Sequence, residues 1–127
     1  MKRSVMAACT IALGFGGVMV AAPQASAGTN SQYIRTVDAA HGGSIQFFHA
    51  GDKATICDLV ADGKSVWGRF YTTSGDRLGT ALTVGGKGNC VTVSEDIPEG
   101  RRIQVDIWLK GPDGLIWNTW NYTFATT

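Results

Sequence analysis

A chain of 127 residues with 11 Lys and Arg against 10 Asp and Glu is close to electrically neutral. It lacks the basic excess that nucleic acid or an anionic membrane surface requires, and no basic run is longer than Arg101-Arg102. The 3 cysteines include no CxxC pair, so a zinc-ribbon framework is excluded as well.

Met1 to Ala27 reads as a cleaved secretory signal peptide. Lys2 and Arg3 form its charged start, Val5 to Val20 its apolar run, and Ala25-Ser26-Ala27 its small-x-small cleavage site. The apolar run is short for a span that needs about 20 residues, and Pro23 follows it. Cys9 leaves with the leader. The expectation is a secreted, extracellular protein starting at Gly28, with no membrane association after cleavage. About one hundred residues then bury roughly two-thirds of the unfolded chain's surface, enough for one domain. Gly28 to Gly43 is polar and Gly-containing, and is expected to be a loosely held arm or an edge strand. Residues 44–127 form the β domain.

Ser44 to His49 predicts the first clear strand, with Ile45 and Phe47 on one face. Ala54 to Val60 and Ser65 to Thr72 predict a hairpin closed at Asp62-Gly63, where a type I′ turn takes φ > 0 at both central positions. Its register pairs Leu59 with Val66, Cys57 with Gly68 and Thr55 with Phe70 on a buried face. Asp58, Ile56 and Ala54 then meet Trp67, Arg69 and Tyr71 on the outer face, and Gly68 leaves room beside Cys57 for a bridge. Thr80 to Val84 is a short strand, with Ala81 or Leu82 inward. Gly85-Gly86-Lys87-Gly88-Asn89 is a flexible loop, without the GK[ST] ending or following helix of a phosphate-cradling loop. Cys90 to Ser94 is a strand whose Val91 and Val93 look inward, which turns Cys90 the wrong way unless a bulge intervenes.

Arg101 to Phe124 predicts two long strands around Gly111-Pro112-Asp113-Gly114. A four-residue loop pairs Lys110 with Leu115 and Leu109 with Ile116. Continued without interruption, it pairs Val105 with Trp120 and Ile103 with Tyr122 on one apolar face that also takes Phe124. Trp108 and Trp117 become a cross-strand pair on the outer face. Such a pair adds only ~0.2–1 kcal/mol, a thin reason to expose two indoles.

In an exported chain, the remaining cysteines Cys57 and Cys90 are read as a disulfide rather than as a thiol nucleophile or metal ligands. It closes a loop of about 34 residues, for roughly 3–4 kcal/mol on the chain-entropy model. Seven or eight short strands with Gly-rich turns and one disulfide predict an all-β, immunoglobulin-like Greek-key β-sandwich, with a small β-barrel as the alternative. The leader together with Gly51-Asp52, Cys57-Asp58 and Asp62-Gly63-Lys64-Ser65-Val66 resembles small secreted β-domain proteins common in actinobacteria. That likeness is strongest from Gly42 to about Tyr71. It implies secretion and a β fold, and carries over no functional residues.

Neither a GxSxG elbow nor an HExxH pair occurs, so no catalytic residue, metal site or cofactor is nominated and the chain is expected not to be an enzyme. Asp58 to Gly63 has too few carboxylates for a calcium loop. What remains is aromatic. The predicted registers turn Trp67, Tyr71, Trp108 and Trp117 outward, with Asp58, Arg69, Gln104 and Asn121 among them. Planar rings beside hydrogen-bonding side chains suit stacking on sugars or anchoring a protein. The bland alternative is that the indoles cover Gly-rich backbone or pack beneath the arm. The primary expectation is a secreted, non-catalytic binding module for an extracellular protein or polysaccharide, with Trp67, Tyr71, Trp108, Trp117, Arg69 and Gln104 as ligand-binding candidates. The second is an inhibitor of extracellular hydrolases acting through Thr73 to Gly79 or Gly85 to Asn89. Neither ligand identity nor oligomeric state is encoded legibly.

Overall fold

Alternating apolar residues build eight strands in the computed structural model, which describes residues 28–127. They are β1 (Ile34–Arg35), β2 (Gly43–Phe48), β3 (Lys53–Asp58), β4 (Ser65–Thr72), β5 (Arg77–Gly85), β6 (Cys90–Ser94), β7 (Arg102–Gly111) and β8 (Gly114–Thr126). The expected leader, Met1 to Ala27, lies outside the described residues. Two four-stranded antiparallel sheets face each other, ordered β1-β2-β3-β6 and β5-β4-β7-β8. The chain changes sheet between β3 and β4, between β5 and β6, and between β6 and β7, which is the connectivity of an immunoglobulin-like Greek-key sandwich.

Between the sheets sit Ile45 and Phe47 of β2, Ile56 of β3, Phe70 of β4 and the Ile103-Val105-Ile107-Leu109 series of β7, all buried. Phe47 and Phe70 meet edge to face across the sandwich, their centroids 5.6 Å apart. Full burial of one such ring contributes about 1.5–3 kcal/mol. Gly68 lies where the two sheets approach closely. A Cβ there would stand 2.8 Å from Ile45 Cδ1 and 3.1 Å from Ile56 Cδ1.

Three expectations are corrected by these contacts. First, β3 and β4 do not form a hairpin. β3 pairs with β2 and β6, while β4 pairs with β5 and β7. Gly63 has φ 74° but Asp62 does not take positive φ, so the connection is no type I′ turn and instead arches from one sheet to the other. In consequence Ala54 and Ile56 face the core and Cys57 faces outward, and the space beside Gly68 is filled by isoleucines rather than by a bridge. Cys57 stands directly opposite Cys90, and the two are joined as a disulfide on the outer face of their sheet. The direction of Cys90 therefore needs no bulge: it alternates with Val91 and Val93 just as Cys57 alternates with Ile56.

Second, the β7–β8 hairpin keeps its expected register only near the turn, with Lys110 opposite Leu115 and Leu109 opposite Ile116. Beyond it Ile107 pairs with Asn121, Val105 with Thr123 and Ile103 with Ala125. Trp117 to Trp120 of β8 thus span the space of Trp108 alone. The cause is Thr119, buried in the interruption. Its Oγ1 accepts from Leu109 N at 2.8 Å and donates to Ile116 O at 2.6 Å, standing in for the broken ladder. An odd displacement exchanges the two faces. Trp120, Tyr122 and Phe124, expected in the core, are on the outside.

Third, of the two readings of the arm the edge strand holds and the loose arm does not: β1 pairs with β2 at the edge of its sheet. Thr29 bridges Thr126, Ser31 N donates to Phe47 O at 2.9 Å, and Val37 N donates to Thr119 O at 3.1 Å.

Candidate functional site

Directly opposed residues of adjacent strands share a face. Trp67 opposes Trp108, Arg69 opposes Asp106 and Tyr71 opposes Gln104. In turn Asp106 opposes Tyr122 and Gln104 opposes Phe124. One outer face of the β5-β4-β7-β8 sheet thereby gathers Trp67, Tyr71, Trp108, Trp117, Trp120, Tyr122 and Phe124. Two rows result. Across the strands, Trp108 lies 5.3 Å from Trp67 and 5.7 Å from Trp117, ring centroid to ring centroid. Along β8, Trp120 stacks on Tyr122 at 4.9 Å, and Tyr122 meets Phe124 edge to face at 5.7 Å.

The candidate residues fare differently. Trp117 is the most open, 68% exposed, while Trp67 and Tyr71 are half-buried. Trp108 was expected to be accessible and is not: the flanking indoles leave it 3% exposed, and its Nε1–H is buried without an acceptor. Asp58 is absent from this face, buried instead at one end of the sandwich. Asn121 turns to the sheet edge, where its Nδ2 donates to Arg35 O at 2.8 Å. The row from Trp120 to Phe124 escaped sequence reasoning because the interruption at Thr119 reverses its direction. A threonine flanked by tryptophans in a strand otherwise alternating cleanly was the one available signal.

Asp106 lies at the centre of the face and is only 4% exposed. Trp120 Nε1–H donates to its Oδ2 at 2.9 Å, and Gln104 Nε2–H donates to its Oδ1 at 2.8 Å. Burial pushes the carboxyl above the usual carboxylate range, and these two hydrogen bonds oppose that rise. Gln104 thus helps fix the acid that fixes the Trp120 ring. Arg69, opposite Asp106 in register, turns its Nη2 to Gly79 O at 3.1 Å, leaving Nε buried without a partner.

The border of the face is cationic. Arg77 opposes Tyr71, Lys110 opposes Ser65, and the Arg102 guanidinium sits 4.3 Å from the centre of the Phe124 ring. Among the described residues the one ion pair is Lys64–Asp62 at 3.9 Å, so these cations have no carboxylate bound to them. No three His, Cys, Asp or Glu side chains gather to hold a metal ion among the described residues.

No protein-family model matches this chain, and no curated protein is detectably similar to it. Among solved structures it is similar to an endonuclease/exonuclease/phosphatase from Beutenbergia cavernae DSM 12333, with a TM-score of 0.55 and 18% identity. The likeness covers 74% of this chain and 26% of that one. It concerns the fold alone: the chain matches about a quarter of that protein's length, and nothing of its activity follows.

Proposed function

We propose that this is an exported, non-catalytic interaction module that binds a protein partner through the aromatic outer face of the β5-β4-β7-β8 sheet. The observation that carries the reading is the exposed row Trp117, Trp120, Tyr122 and Phe124 beside unpaired arginines. Interface centres are rich in Trp, Tyr and Arg, and anchors of this kind dominate binding energy. The rings are packed against one another rather than spread as separate flat platforms. That arrangement makes an apolar ridge suited to a protein surface, and offers few free ring faces for sugars. Arg69, Arg77, Arg102 and Lys110 favour a partner whose apolar centre is bordered by carboxylates. The same cations on both sides oppose face-to-face pairing of two copies. The disulfide agrees with an oxidising compartment.

The test immobilises the purified protein, a Trp117→Ser/Tyr122→Ser variant and a Thr92→Ala control on the other sheet, and exposes each to medium from the secreting cells. The expected result is one protein held by wild type and control and lost from the double variant. Titration of that purified protein should show at least about 30-fold weaker binding, as loss of central anchors produces. Equal capture by all three, or an indole fluorescence shift with polysaccharides and no protein captured, would overturn the proposal.

A further inference from the structure

A separate feature lies at one end of the sandwich. The β3–β4 arch, the β5–β6 loop and the β7–β8 hairpin converge there on an open cleft of about 710 Å³. These segments are far apart in sequence, and Asp58 ties two of them together. Its Oδ2 accepts from Gly86 N at 2.8 Å, its Oδ1 accepts from Val60 N at 3.2 Å, and its carbonyl accepts from Gly88 N at 2.7 Å. Asp62 is also engaged, its Oδ1 accepting from Lys64 N at 3.0 Å. Asp58 thus spends both oxygens on backbone N–H groups, while Asp62 divides its own between Lys64 N and the Lys64 ammonium. Three lysines, Lys64, Lys87 and Lys110, line the same space, and among the described residues only Lys64 has an acid beside it.

We propose that this cleft is a second binding site, for a small ligand carrying two or more oxyanion groups. Its volume falls in the range of small-molecule sites, and loops held by a buried carboxylate lose little freedom on binding. Lysines presented as point charges suit phosphate or carboxylate groups without demanding one bidentate geometry. The Gly-rich loop thus meets anions from a β-arch, without the helix that a nucleotide-binding loop uses. The site stands independently of the aromatic face, though Lys110 borders both.

Amide NMR titration with inorganic pyrophosphate and with citrate, at low ionic strength to limit screening, tests the assignment. Saturable shifts are expected at Gly63, Lys64, Gly86 to Asn89 and Gly111. A Lys87→Gln/Lys110→Gln variant should bind about three- to tenfold more weakly, the range expected when two exposed ion pairs are lost. A Lys53→Gln/Arg77→Gln variant should bind as wild type does. A response to pyrophosphate alone would specify phosphate chemistry, and a response to citrate alone would specify carboxylates. No saturable shift with either anion, shifts spread over Arg77 and Arg102, or equal weakening in both variants would overturn the proposal.

Discussion

The two sheets share one core and differ on their outsides. The β1-β2-β3-β6 sheet presents Thr55, Thr92, Ser94 and the disulfide, with the hydroxyls of Thr55 and Thr92 at 2.8 Å. The β5-β4-β7-β8 sheet presents seven aromatic rings around a buried acid. A sandwich of this size is closed by its inner faces, and the small sheet manages with threonines outside. The exposed aromatics of the other sheet, Trp117, Trp120, Tyr122 and Phe124, go beyond what closing the core requires, and that excess is why this face is the one we propose for binding.

The contrast can be broken most severely from within. Phe70→Ala removes the ring that faces Phe47 across the sandwich and should destabilise both sheets by about 3–5 kcal/mol in urea denaturation. A Cys57→Ser/Cys90→Ser variant should lose about 3–4 kcal/mol while leaving partner capture intact, since the bridge lies on the polar sheet. On the aromatic sheet, Trp108→Phe should shift stability by less than about 1.5 kcal/mol, because the N–H it removes has no acceptor.

Asp106→Asn sharpens the comparison through pH. The folded carboxyl sits above its ordinary value of 3.8, so the folded state holds the proton more tightly than the unfolded chain does. Its contribution is fully present below 3.8 and is lost as pH rises through the raised folded value. The variant should therefore flatten stability against pH in that window, and at pH 7 equal or exceed wild type, within about 1 kcal/mol. The smallest effect is expected for Trp117→Ser, within about 0.5 kcal/mol of wild type by thermal melting, because its ring is mostly in solvent.

The strands themselves were legible because burial imposes a period of two, and β2, β6 and the turn of the β7–β8 hairpin fall where alternation places them. Partner choice was less legible. Asp62-Gly63 carries the chemistry of a tight hairpin, yet β3 is flanked by β2 and β6, and the same residues make an arch. Turn residues report local backbone geometry and not which sheet receives the next strand. Thr119 shows the same limit at the site. Its hydroxyl replaces a ladder bond, and no periodicity announces that substitution. Trp67, Tyr71 and Trp117 do point outward, the first two by alternation along β4 although the β3–β4 register that implied it does not form, whereas burial of Trp108 depended on neighbours from both flanking strands. The row Trp120-Tyr122-Phe124 could be placed only once the interruption was known.

Oxidative footprinting of the protein, alone and with its captured partner, tests the central claim most directly. Trp117, Trp120 and Tyr122 should label readily in the free protein and be protected in the complex, while labelling on the threonine-faced sheet stays unchanged. Protection confined to that sheet or to the turn at Thr73–Asp76, with the indoles still labelled, would contradict it.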